Sequence, residues 1–132
     1  MAREILFRGK RTDNGKWVEG HLIVFPKSKI TKIMVWNAAD LDFDAIEVRP
    51  ESVGQYTGLT DKDGKKIFEG DIVNCYTFTG MNDYRRGVVH WNEMFCGWYG
   101  KESCSLLCGL GEIYEVIGNI HDNSELLNGT ES

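Results

Sequence analysis

The sequence predicts a mainly β, antiparallel fold: a small N-terminal β lobe over residues 1–46, then a barrel-like lobe over residues 47–132, able to pack as one compact unit. Three observations lead there. Fifteen glycines and two prolines punctuate short apolar runs, the texture of many short strands. The links between those runs are short, which favours antiparallel pairing because parallel strands need long crossovers. No stretch sustains the 3.6-residue apolar period of an amphipathic helix.

The elements follow in order. Residues 3–11 and 16–25 are two apolar runs separated by Asp13-Asn14-Gly15. An Asn-Gly pair tolerates the positive φ angles of a tight turn, so the runs form a hairpin. Pro26 and the lysines after it end the second run. In ITKIMVW, residues 30–36, Thr31, Ile33 and Val35 share one face and Ile30, Lys32, Met34 and Trp36 the other, a strand with one wholly β-branched face. The acidic NAADLDFDAIEV that follows is compatible with a short helix or a plain loop, and residues 37–46 are taken as the connection between lobes. The candidate strands of the second half are Ile72–Phe78, Arg86–Trp91, Phe95–Tyr99, Ser103–Cys108 and Tyr114–Ile120. Their breaks are TGMND, Asn92-Glu93 and Gly109 to Gly111. Ser124-Glu125-Leu126-Leu127 makes a single capped helical turn.

Composition narrows the function classes. A chain of 132 residues, 42% apolar and 27% charged, buries enough surface to fold without disulfides or metal. No apolar run is long enough for a signal peptide or a membrane span, so the expected location is cytoplasmic, with no membrane partner. Cys75, Cys96, Cys104 and Cys108 are then expected to be thiols. A net charge of −5 repels phosphate backbones, which makes nucleic acid the less favoured partner.

The most informative stretch is QYTGLTDKDGKKIFEGDIV, residues 55–73. An EF-hand needs acids at positions 1, 3 and 5, glycine at 6 and glutamate at 12. With Gly64 at position 6, Asp61 and Asp63 fit, but Leu59 and Gly70 occupy the two ends of the cage. A hairpin turn using Asp and Gly explains the same residues with fewer demands. Glu69-Gly70-Asp71 offers two carboxylates for acid–base work, yet no nucleophile lies near it in sequence. It is expected to be a sharp bend whose acids face water. Cys104 and Cys108 would lie roughly 13 Å apart along a strand at about 3.3 Å per residue, too far for one zinc ion, so the cysteines are expected in the core. No Gly-x-Ser-x-Gly elbow or phosphate-binding loop occurs. The expectation is therefore no catalytic, cofactor-binding or metal-ligating residue, and no cofactor.

Two long segments, VGQYTGLTDKDGKKIFEGDIV and EVIGNIHDNSELL, resemble the YopX family of phage and prophage proteins. The opening ILFRGKRTDNGKWVEGHL looks like that family's usual start. Residues 26–45 and 79–110 lie outside the likeness, and Ser124 departs from the proline common in similar tails. The resemblance implies an SH3-like barrel in the C-terminal part and a tendency to self-associate. It brings no activity, cofactor or catalytic residue.

The leading expectation is thus a non-enzymatic accessory protein that forms a homo-oligomer, a closed ring among its possible forms, and binds an unidentified host or phage protein. The alternative is single-stranded nucleic-acid binding through exposed aromatics (Trp17, Trp36, Trp91, Trp98, Tyr76, Tyr84, Tyr99) with Arg8, Lys10, Arg11, Arg85 and Arg86. A third reading, a hydrolase, requires Asp61, Asp63, Glu69 and Asp71 to converge in a pocket.

Overall fold

A computed structural model describes residues 4–77, 80–94, 96–101, 104–105 and 113–128. It is mainly β, built from antiparallel sheets. The chain divides into two compact units, residues 1–56 and 57–132.

In the first unit, β1 (Phe7–Lys10), β2 (Trp17–Val24), β3 (Thr31–Asn37) and β4 (Asp42–Val48) form consecutive hairpins. The strand order is β4-β3-β2-β1, with the start of β5 (Gly54–Thr60) beside β1. The β-branched face predicted for residues 30–36 is the buried one: Ile33 and Thr31 are buried, and Val48 pairs with Thr31 across the strand. Val48 also bridges to Arg11, so β4 curls back onto the end of β1. A 3₁₀ turn, Pro50–Ser52, follows. There the buried Ser52 hydroxyl accepts from the Lys10 amide at 2.8 Å and donates to the Arg49 carbonyl at 2.6 Å.

The acidic stretch after β3 is a four-residue turn, residues 38–41, followed by a strand. That strand is β4, paired in register from Asn37↔Asp42 to Thr31↔Val48. Phe43 and Ala45 alternate there with Asp42 and Asp44, the period-2 pattern of a strand.

The three hairpins of this unit share one loop design. Four residues lie between the residues that close each loop, Arg11 and Lys16, Phe25 and Ile30, and Asn37 and Asp42, and the fourth has positive φ: Gly15 at 72°, Lys29 at 62° and Leu41 at 53°. In the first two the fourth residue's amide donates to the residue before the loop, Gly15 to Arg11 at 3.0 Å and Lys29 to Phe25 at 2.7 Å. The tight turn expected at Asn14-Gly15 is thus one of a set.

In the second unit, β6 (Lys66–Phe68) lies beside β5, β12 (Ile113–Asn119) and β8 (Gly80–Val88) flank β7 (Asp71–Thr77), and β10 (Gly97–Lys101) lies between β11 (Cys104–Ser105) and β9 (His90–Asn92). A single helical turn, α1 (Glu125–Asn128), ends the described chain. Ile67, Val73, Cys75, Val89, Trp98 and Tyr114 form the core, with Leu59 and Val116 packed against it. β8 begins at Gly80, inside the TGMND stretch read from sequence as a break. The strand pairings among the described residues do not close into one barrel. No helix among the described residues is long and apolar enough to cross a membrane.

Candidate functional site

The Asp61 turn has the geometry of a chain reversal. The Gly64 amide donates to the Asp61 carbonyl at 3.0 Å, the Asp61 amide to the Lys65 carbonyl at 2.7 Å, and Gly64 has φ 84°. Asp61 itself is only 8% exposed. Its Oδ1 accepts from the amides of Asp63 and Lys65, both at 2.9 Å, and its Oδ2 from the Val116 amide at 3.0 Å. Burial works against the charged carboxylate. The amides of Val116, Lys65 and Asp63, aided by the Lys65 charge, outweigh it and hold the group below the usual carboxylate range. The Lys62 amide meanwhile donates to the Tyr114 carbonyl at 2.9 Å. The turn therefore seats two of its residues along β12.

The second acidic bend differs from the expectation that its acids face water. Asp71 is 1% exposed, and its Oδ2 accepts from the Phe68 amide at 2.8 Å. A carboxylate placed there closes the bend more firmly than a solvated one, because it satisfies a buried amide left by Gly70 reversing the chain at φ 92°. Asp61 meets β12 at Val116 and Asp71 meets it opposite Asn119. Three residues of strand put those points about 10 Å apart. Asp63 is exposed and paired with Lys62 at 3.2 Å. Asp61 and Asp71 are thus each engaged by backbone amides at different places, and Asp63 faces solvent beside Lys62.

Cys75 is buried in the core and Cys96 is exposed. Cys104 sits in β11, and Cys108 lies outside the described residues. Among the described residues no group of three or more His, Cys, Asp or Glu could hold a metal.

The basic residues are largely committed to the fold. Arg8 is buried and stacked over Trp17 at 4.6 Å, with the Lys10 ammonium 5.6 Å from the same ring. Arg11 holds Asp13 through two hydrogen bonds of 2.9 and 2.8 Å. Arg86 donates to the Asn74 side chain at 2.9 Å and to the Leu126 carbonyl at 3.2 Å. Tyr76 donates to Glu115 at 2.7 Å. Trp98 is in the core. The side chains of Tyr84 and Arg85 lie outside the described residues.

What stands out is the β3–β4 hairpin. Trp36 and Phe43 are directly opposite each other, so they share a face, and their rings meet edge to face at 5.1 Å. Both remain half in water, 53% and 46% exposed. Leu41, at the left-handed position of the loop between them, is 76% exposed. That conformation costs a residue with a Cβ roughly 1–2 kcal/mol, and the side chain gains no burial in return. Of these, sequence reasoning named only Trp36. The alternation of Leu41 and Phe43 with acids is the signal that finds the other two.

Among curated proteins none matches the chain. The family model described as YopX protein matches it over residues 6–128. That span takes in every strand from β1 to β12 and the turn at α1, including residues 26–45 and 79–110, so the chain belongs to the YopX protein family.

Proposed function

We propose that this phage-type protein is a non-enzymatic, cytoplasmic module that self-associates and docks a further protein, with the β3–β4 hairpin as its contact. The observation that carries the reading is the exposed Trp36–Phe43 pair beside a strained, exposed Leu41. Exposed aromatics grouped this way mark interaction surfaces more often than chance, and backbone strain persists where function uses it. The commitment of Arg8, Arg11 and Arg86 to internal partners leaves the nucleic-acid alternative with less to work with.

The same proposal includes an SH3-like barrel for the second unit. Its support is that Val89 alone separates β8 from β9, so one continuous run serves both three-stranded sheets. The Asp61 turn also joins β5 and β6 to the free side of β12.

Light scattering on a size-exclusion column tests the association. The wild type is expected to run as a multimer, and Trp36→Ser with Phe43→Ser to run as a monomer with an unchanged far-ultraviolet spectrum. A wild type that stays monomeric at several hundred micromolar overturns the reading.

A further inference from the structure

Charge is segregated along the β2–β3–β4 hairpins. Residues 25–32 carry Lys27, Lys29 and Lys32 and no acid, whereas residues 33–46 carry Asp40, Asp42 and Asp44 and no base; Glu47, at the other end of β4, lies opposite Lys32. Lys27 and Lys29 are in the exposed loop before β3, and Asp40, Asp42 and Asp44 are exposed in and after the loop that follows it. The seven residues of β3, Thr31 to Asn37, set the two loops about 20 Å apart along one strand. Each charged end also bears exposed apolar groups: Val24, Phe25 and Ile30 at the basic end, Trp36, Leu41 and Phe43 at the acidic end.

We infer that the contact between copies is head to tail, the acidic β3–β4 loop of one copy receiving the basic β2–β3 loop of the next. The inference rests on the self-association proposed above and specifies which surfaces meet. Like ends repel: two acidic loops brought together oppose Asp40, Asp42 and Asp44 of both copies. Unlike ends match in charge and both supply apolar area. The chain already contains a small-scale example of the chemistry, since the Lys32 ammonium lies 5.9 Å from the Phe25 ring. In the contact, Lys27 or Lys29 takes the same position over Trp36 or Phe43, where a cation over an aromatic face is favoured, with the aspartates beside it. A heterologous contact of this kind uses two different patches on every copy, so it continues from copy to copy until it closes as a ring or extends as a filament.

Two variants, each disabling one end, decide the matter. Trp36→Ser with Phe43→Ser disables the acidic end. Lys27→Glu with Lys29→Asn disables the basic end, the asparagine tolerating the left-handed angle there. Circular dichroism confirms that each is folded, and Lys27→Glu alone serves if the double change is not. In a head-to-tail assembly each variant alone is monomeric by light scattering, and an equimolar mixture gives a dimer that grows no further. If the basic-end variant assembles as the wild type does, the contact is between like ends and the inference fails while self-association stands. If both variants are monomeric and their mixture is too, the two patches do not meet and the inference also fails. A monomeric wild type instead overturns the underlying reading.

Discussion

Asp61 shows how one side chain can be mistaken for chemistry when its work is mechanical. Three backbone amides converge on its carboxylate, and each would be unsatisfied without it. Asp61→Ala is expected to cost about 3 kcal/mol in urea unfolding, and Asp61→Asn, which turns a donor toward one amide, about 1–3 kcal/mol. The pH dependence follows from the lowered folded-state pKa. The carboxylate's contribution is full above its unfolded value of about 4 and is lost as pH falls through the lower folded value. Between pH 6 and pH 3, Asp61→Asn should therefore lose less stability than the wild type, and equal losses would contradict this account. Leu41 is the opposite case, a residue costly to its own fold. Leu41→Gly relieves a left-handed Cβ and should raise the unfolding free energy by about 0.5–1 kcal/mol, while weakening association in light scattering. The turn at Asp61 is legible in sequence because Asp and Gly declare their backbone angles. The burial of Asp61 and Asp71 is not, because what buries them is tertiary: β12 lies about 50 residues away from the first of these turns.

At the level of elements, the sequence shows hairpins clearly where glycine marks the loop and poorly where it does not. Gly15 announces the first; Lys29 and Leu41 hold the same angle in the second and third with no such label. β4 escaped notice because acids dominate it, although its alternation is that of a strand. The C-terminal helix is legible as a capped turn, but its anchor is not. Arg86, at the end of β8, reaches the Leu126 carbonyl of α1 while also donating to Asn74, which is buried in β7. Arg86→Ala should cost about 1–2 kcal/mol and speed amide hydrogen exchange in residues 120–128 selectively. Exchange that stays slow there would mean the helix is held by other contacts.

For the molecule as a whole, the net charge of −5 hides a local dipole in the first unit, so solution behaviour should depart from that of a uniformly acidic protein. Raising salt from 50 to 500 mM screens the ionic part of the proposed contact and leaves the apolar part, so association should weaken about tenfold or less. A short oligonucleotide bound through phosphates would lose far more affinity over that range, and such a steep loss in tryptophan quenching would revive the nucleic-acid reading. The compact units divide at residue 56, within β5, and the acidic residues 37–46, where strand signals weaken in the sequence, belong to the end of β3, its loop and β4. The outer rim of β12 has a consequence of its own. Asp61 takes the Val116 amide, Lys62 the Tyr114 carbonyl, and Asn123 the Asn119 amide at 3.2 Å. An invading polypeptide finds those positions occupied, so fibril-type stacking has no template along that rim.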